Sequence, residues 1–228
     1  MFSLMQRGGL LMWPILIGSV LALAIFLERL IHYRRQTLNV GEFLKGVCHL
    51  VRRRRFPEAL DRCEEAHGPV VQVAHAAIRH HRLPRAELRE LVQEVAQLQV
   101  PRLEQHLGVL ATIGHVTPLL GLLGTVTGMI QAFAQVQAKA GTVTVADLAG
   151  GIWEALITTA AGLAVGIPAY IAYNYLVTRM HGLVRDMERA GIEIVQALGE
   201  HAQIIDFEEA AGETARSVEG TAKSGGAS

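Results

Sequence analysis

Residues 148–178 read LAGGIWEALITTAAGLAVGIPAYIAYNYLVT and contain a single charged residue, Glu154. About 20 apolar residues are enough to cross a hydrocarbon core of roughly 30 Å, so this stretch predicts a membrane-spanning helix. Two further stretches have the same character, because residues 8–27 and 105–138 contain no Lys, Arg, Asp or Glu. The sequence therefore predicts an all-α membrane protein with three transmembrane helices.

The composition agrees with this class. Hydrophobic residues make up 50% of the chain and charged residues 18%, whereas about a quarter of a soluble domain is charged. The first apolar stretch is longer than the core of a secretory signal peptide, and no small-residue cleavage site follows it. It is therefore expected to be a retained anchor.

The basic residues predict the orientation of the chain in the membrane. Of the 21 Lys and Arg residues, only Arg7 and Lys139 lie before the first span or between the second and third spans. The positive-inside rule then places the N-terminus outside, and the long connection and the C-terminus in the cytoplasm. The predicted segments are an external segment 1–9, spans 10–27, 107–133 and 148–178, a cytoplasmic helical region 28–106, an external connector 134–147, a cytoplasmic helical extension 179–207 and a disordered tail 208–228.

The cytoplasmic segments are predicted to be long amphipathic helices, whose apolar faces must be buried against other helices. Apolar residues recur mostly three, four or seven apart in two series: Leu88, Leu91, Val92, Val95 and Leu98, then Leu176, Met180, Leu183, Met187, Ile194 and Leu198. The arginine run at residues 52–55 is more typical of a solvated face or of contact with anionic lipid than of nucleic-acid binding. Cys48 and Cys63 are expected to be thiols, because the cytoplasm is reducing. No Cys/His spacing indicates a metal site.

The second span has one face of small residues. In LGVLATIGHVTPLLGLLGTVTGMIQAF (residues 107–133), Gly121, Gly124, Thr125 and Gly128 are one, three or four residues apart. The Gly124/Gly128 pair has the spacing that lets another helix approach closely. Helix packing is the expected role of these glycines, while Thr125 would point toward a neighbouring helix or a lumen.

Glu154 is the most informative residue of the third span. It lies about seven residues into the apolar stretch, roughly 10 Å deep at 1.5 Å per residue. A charged side chain near the membrane centre costs on the order of 3 kcal/mol, so it needs a partner, a water-filled cavity or a proton. No Lys or Arg lies in any span to pair with it.

The neighbours of Glu154 favour a proton pathway. Thr158, Gly151 and Gly162 are predicted to share its helix face, which would form a polar stripe beside the carboxyl group. The alternative is a structural glutamate that is hydrogen-bonded across a helix interface. His115 is the other ionisable residue in the spans, and it is either an additional titrating group or a neutral, packed histidine.

The stretches ATIGHVTPLLGLLGTVTGMIQAF and GGIWEALITTAAGLAVGIPAYIAYN resemble the MotA/TolQ/ExbB proton-channel family, and within it most of all the ExbB branch. The resemblance is specific over residues 107–174. It implies a ring oligomer, a pentamer, in a bacterial inner membrane. The lumen would hold an ExbD-like or TolR-like partner with a single span and a membrane aspartate, and a TonB-like or TolA-like transducer would carry the work to the outer membrane.

The resemblance also implies roles for individual residues. Glu154 matches the family's membrane glutamate, and Thr125 and Thr159 match its polar threonines. Helix geometry alone selects Thr158 instead of Thr159, so both remain candidates. His115 departs from the family, which more commonly has a small residue at this position.

The predicted function is that of an ExbB-like motor subunit that uses the proton gradient to energise TonB-dependent transport. A TolQ-like role in envelope integrity and a passive membrane scaffold are the alternatives. The chain lacks the internal repeats and paired broken helices of a secondary transporter. No nucleophile and base are arranged as in an enzyme, so neither catalysis nor a cofactor is expected.

Overall fold

A computed structural model describes residues 9–36, 39–138 and 145–224, with side chains in the last range for residues 149–199. All regular structure in these ranges is helical, which confirms the all-α class. The helices are α1 (Met12–Gln36), α2 (Val40–Arg52), α3 (Phe56–Glu65), α4 (Pro69–Arg79), α5 (Arg85–Glu104), α6 (Leu107–Ala138) and α7 (Val145–Ser224).

Three segments are long and apolar enough to cross a membrane, which confirms the three predicted spans. They lie within Met12–Arg52, Leu107–Ala138 and Ala149–Gly199. Helix α7 continues without interruption from the third span to Ser224. Most of the predicted tail 208–228 is therefore helical in backbone, while its side chains and residues 225–228 lie outside the described part. Residues 1–8 and 139–144, in the two predicted external segments, lie outside it as well.

The chain forms two compact units, each built from two separate parts of the sequence. The span unit comprises Met1–Arg35 and Leu103–His181, and the bundle unit comprises Gln36–Arg102 and Gly182–Ser228. The three spans belong to the first unit, and α2 to α4 belong to the second.

In the span unit, α6 and α7 pack closely through residues without large side chains. Gly121, Gly124 and Gly128 are all buried. A Cβ at Gly121 would lie 3.1 Å from the Thr159 Cα, and one at Gly128 would lie 2.9 Å from the Gly151 carbonyl oxygen. Small residues allow the two backbones to approach, and the close dispersion contacts hold the helices together where no hydrophobic effect acts.

Helix α1 contacts α6 on one side and leaves its large apolar side chains exposed on the other. Ile15 is 2% exposed and Ala22 is 7% exposed, whereas Ile17 and Leu23 are 56% and 61% exposed. Gly18 faces α6, because a Cβ there would lie 3.6 Å from Ile113 Cγ2. In a bilayer, the exposed face of α1 is solvated by lipid or by other helices.

The bundle unit has a core of fully buried apolar side chains from α2, α4 and α7. Val47, Val73, Met187 and Ile194 are each 0% exposed. Helix α7 also packs tightly against α5, because a Cβ at Gly191 would lie 2.6 Å from Val92 Cγ1. The amphipathic pattern of the third helix's extension is therefore satisfied within the chain itself.

The predicted apolar face of α5 is only partly buried. Leu88 and Val92 are 2% and 6% exposed, but Leu98 is 63% exposed. At 100° per residue, Leu98 lies about 80° around the helix from Leu88. The row of apolar residues on α5 therefore winds around the helix, and its C-terminal part no longer faces the core.

Candidate proton-transfer site

Glu154 lies on α7 at the flank of the α6–α7 interface, with a side chain of intermediate exposure. Its carboxylate is so close to the backbone of Gly9 that a Cβ at Gly9 would overlap it. Gly9 has a φ of +67°, in the left-handed region that favours glycine. The close approach of the carboxylate and the positive φ therefore both require glycine at position 9. The sequence interpretation missed this residue, although the Gly8-Gly9 pair before the first span was a signal for close approach.

Glu154 has no basic partner among the residues that the structure describes. No Lys, Arg or His forms an ion pair with its carboxylate in these ranges. Its own backbone carbonyl accepts a hydrogen bond from Thr158 Oγ1 at 2.8 Å. Within the described part of the chain the carboxyl group thus lies in a span without a compensating charge, and such a group needs a proton, water or a charged partner.

Thr158 and Thr159 both lie at the interface with α6 but make different contacts. Thr158 is 1% exposed, and its methyl group fills the space beside Gly124, where a Cβ would lie 2.5 Å from Thr158 Cγ2. Thr159 Oγ1 donates a hydrogen bond to the Gly121 carbonyl oxygen at 2.7 Å, which joins the two spans. The Thr159 hydroxyl, which is only partly buried, retains a lone pair that can accept a further hydrogen bond.

Thr125 is not brought into contact with Glu154. Its Oγ1 donates to the Leu122 carbonyl oxygen of its own helix at 2.6 Å. Gly162 of α7 packs against α6, because a Cβ at Gly162 would lie 2.8 Å from the Thr117 carbonyl oxygen. The face that the sequence predicts for Gly151, Thr158 and Gly162 is therefore directed at α6 of the same chain.

His115 lies far from the carboxylate along the spans. Its Nδ1 is 2.7 Å from the Ala111 carbonyl oxygen, and its ring meets that of Tyr170 edge-on, with centroids 5.2 Å apart. Tyr170 packs beside Gly114 and Ala155 beside Gly128, so His115 and Glu154 are separated by about 14 residues, or roughly 20 Å of helix. No direct proton exchange between the two is possible at that distance.

A polar cluster that the sequence did not predict joins the end of α1 to the start of α6. Arg29 is 3% exposed and donates to Glu28 Oε1 at 3.1 Å and to Gln105 Oε1 at 3.3 Å. His106 Nδ1 lies 3.0 Å from Glu28 Oε2, and the Tyr33 hydroxyl donates to a backbone carbonyl at 2.6 Å. The adjacent charges of Glu28 and Arg29, directly after the first span, were the available signal for this cluster. Their partners Gln105 and His106 are more than 70 residues away in the sequence.

Together these features define a class of protein: a helical membrane protein in which two glycine-rich spans pack closely and one of them carries a carboxyl group that forms no ion pair with any residue of the described ranges. A family model described as the MotA/TolQ/ExbB proton channel family matches residues 65–189. That match covers more than half of the 228 residues. The chain is therefore a member of the MotA/TolQ/ExbB proton channel family.

Individual relatives agree with this assignment. The chain is 33% identical over 173 residues to the biopolymer transport protein exbB1 of Vibrio cholerae, an alignment that covers 73% of this chain and 75% of the relative. It is 30% identical over 195 residues to the putative biopolymer transport protein ExbB-like 3 of Synechocystis, covering 83% and 92% of the two chains. It is also 33% identical over 145 residues to ExbB of Neisseria gonorrhoeae, covering 58% and 66%.

Proposed function

We propose that this chain is an ExbB-like subunit of a proton-driven motor that energises TonB-dependent transport across an outer membrane. The observation that carries the proposal is Glu154, a carboxyl group within the third apolar span that has no basic partner among the described residues. A group of this kind marks proton pathways in membrane proteins. The names of the relatives, which refer to biopolymer transport, support the same assignment.

The proposal includes an assembly and a location. Five copies would form a ring in a bacterial inner membrane, with the N-terminus in the periplasm and the C-terminus in the cytoplasm. The lumen would hold an ExbD-like partner with a single span and a membrane aspartate, and a TonB-like transducer would carry the work onward. The chain itself would catalyse no covalent reaction and would need no cofactor.

Glu154 would act as the proton carrier, and the hydroxyl groups around it would hold water. Thr159 Oγ1 donates to a backbone carbonyl, so it can still accept a hydrogen bond from a water molecule. Thr158, whose hydroxyl donates to the backbone carbonyl of Glu154, would hold the local helix geometry beside the carboxyl group. Thr125 would contribute from the second span once a lumen forms. His115 would not take part, because it lies roughly 20 Å along the helices from Glu154.

The test is the substitution Glu154→Gln, which keeps the shape of the side chain and removes its proton exchange. The chain, co-expressed with the ExbD-like partner of its own genome, is reconstituted in liposomes that contain a pH-sensitive dye, and proton entry is driven by a potassium diffusion potential. We expect Glu154→Gln to abolish the flux while the mass of the assembly stays unchanged. Glu188→Gln is the matched control, because Glu188 is exposed in the bundle unit. Normal flux in Glu154→Gln would refute the proposal.

A passive scaffold is the second candidate, and the contacts of the threonines favour it. Thr158 fills the space beside Gly124, and Thr159 hydrogen-bonds to Gly121, so both already contribute to helix packing. In a scaffold, Glu154 would only specify how copies associate. Glu154→Gln would then change the mass of the assembly in detergent, and no proton flux would be measured for the unsubstituted chain.

A further inference from the structure

An apolar groove runs along the span unit between α1 and α7. It has a volume of about 710 Å³ and is lined by side chains from residues 19–34 of α1 and 164–175 of α7. Except for Ser19, Tyr175 and Arg34, the lining residues are Ala, Val, Leu, Ile, Phe and Pro. Its volume falls within the roughly 300–1,000 Å³ range of ligand pockets.

One end of the groove is positively charged. Arg34 lies in the last turn of α1 and is exposed. Tyr175 lines the same groove, and Arg179 Nε donates to its hydroxyl oxygen at 3.3 Å. In the described ranges no carboxylate forms an ion pair with Arg34. This end therefore presents a guanidinium group that is available to an anion.

The length of the groove matches one leaflet of a bilayer. The α7 side, residues 164–175, rises roughly 17 Å at 1.5 Å per residue. Half of a hydrocarbon core of roughly 30 Å is about 15 Å. A groove of this length would reach from the middle of a bilayer to the surface, where the charged end with Arg34 would lie.

We propose that this groove binds one anionic phospholipid, with an acyl chain along α1 and α7 and the phosphate group beside Arg34. A free phosphate ion does not match this groove, because most of the lining is apolar and offers the ion no hydrogen bond. The arginine selects an anionic over a zwitterionic headgroup, since a basic residue near the membrane surface attracts anionic lipid. The proposal is independent of proton transfer, since the groove and Glu154 are separate.

A span from a second copy of the chain would leave Arg34 without a counter-charge. The predicted spans 10–27, 107–133 and 148–178 contain one acidic residue, Glu154, near the opposite end of α7's span. Such a helix would therefore bring no carboxylate from within a span to the charged end, and Glu28, directly after the first span, already pairs with Arg29 and His106. A phospholipid supplies both the apolar chain and the anion.

The charged end is tested by titrating the purified full-length chain in detergent with phosphatidylglycerol or phosphatidylcholine and counting bound lipids by native mass spectrometry. Arg34→Gln is expected to weaken phosphatidylglycerol binding about five-fold, the factor that corresponds to about 1 kcal/mol per basic residue. The adjacent Arg35→Gln is the matched control, because Arg35 does not line the groove. Equal phosphatidylglycerol affinities for Arg34→Gln and the unsubstituted chain would overturn the proposal.

The apolar walls are tested with Ala172→Phe, which places a ring in the groove. Both lipids should then bind at least ten-fold more weakly, whereas Ala160→Phe, at an exposed position of α7 outside the groove, should bind them normally. Unchanged binding by Ala172→Phe would overturn the proposal. So would efficient cross-linking between copies through Ala172→Cys, in a chain with Cys48 and Cys63 replaced by Ser, because a second copy would then occupy the groove.

Discussion

Two adjacent threonines of α7 differ in what their hydroxyl groups reach. Thr158 Oγ1 donates to the carbonyl of Glu154 in its own helix, while Thr159 Oγ1 donates across the interface to Gly121. Helix periodicity predicted the face of Thr158, because that depends only on residue spacing. It did not predict the bond of Thr159, which requires the rotation of α6 to be known. The resemblance to the family, which singles out Thr159, has a structural counterpart in that bond.

Thr159→Val is therefore expected to destabilise the pair of spans slightly. Hydrogen bonds between membrane helices contribute about 0.6 kcal/mol on average, so the melting temperature in detergent should fall by only a few degrees. Thr125→Val is the matched control, because Thr125 bonds only within its own helix, and it should melt like the unsubstituted chain. A complete loss of proton flux in Thr159→Val with so small a change in stability would assign its hydroxyl to the proton pathway.

The two cysteines should react at different rates. Cys63 is 3% exposed, and burial raises the pKa of its thiol to about 11. Because the thiolate is the reactive form, Cys63 should be almost unreactive toward maleimide at pH 8, and its rate should keep rising as the pH approaches 11. Cys48 is more exposed and should be labelled first, as peptide mass spectrometry will show. Equal labelling at pH 8 would mean that the bundle unit opens.

At the scale of elements, the packing of α6 on α7 depends on the absence of side chains. The Gly124/Gly128 spacing predicted a close helix contact, since small residues three or four apart always lie on one face. It left open whether the partner belongs to the same chain or to another copy. The structure places Gly151, Thr158 and Gly162 of the same chain against that face. Within the described residues, this glycine face of α6 is therefore occupied by the third span of the same chain.

Gly128→Ala should separate the two spans and lower the stability of the span unit. Its Cβ would lie 2.9 Å from both the Ala155 Cβ and the Gly151 carbonyl oxygen, and overpacking of this kind costs about 1–3 kcal/mol. Gly108→Ala is the matched control, since a Cβ there meets nothing within 4 Å. Thermal unfolding in detergent should show a lower midpoint for Gly128→Ala only. If both variants melted alike, α6 and α7 would not be in close contact at Gly128.

At the scale of the whole molecule, the bundle unit is completed by the helix that follows the third span. Met187 and Ile194 of α7 are 0% exposed in a core that otherwise comes from Gln36–Arg102. The apolar spacing predicted that this part of α7 is amphipathic, but periodicity carries no information on the partner. The contact joins residues about 100 positions apart, and no local pattern specifies it.

Met187→Asp should unfold the bundle unit, because an unpaired charge would be buried in its core. Such a substitution removes several kcal/mol of stability, a large part of a typical domain's 5–15 kcal/mol. Ile192→Asp is the matched control, because Ile192 is 53% exposed on the same helix. Limited proteolysis in detergent should cut residues 40–102 in Met187→Asp and spare them in Ile192→Asp. Resistance of Met187→Asp would show that α7 is not part of this core.

The discontinuous bundle unit has a consequence for how the protein is made. A ribosome that has finished Arg102 must synthesise the second and third spans before it reaches Gly182, where the missing part of the unit begins. At 5–20 residues per second this takes roughly 4–16 s. During that interval Met187 and Ile194 have not yet been synthesised, so the apolar surfaces of α2, α4 and α5 cannot be buried against them. The nascent chain then exposes these surfaces to chaperones and proteases. The third span is therefore synthesised before the core of the bundle unit, most of which was translated earlier, can be completed.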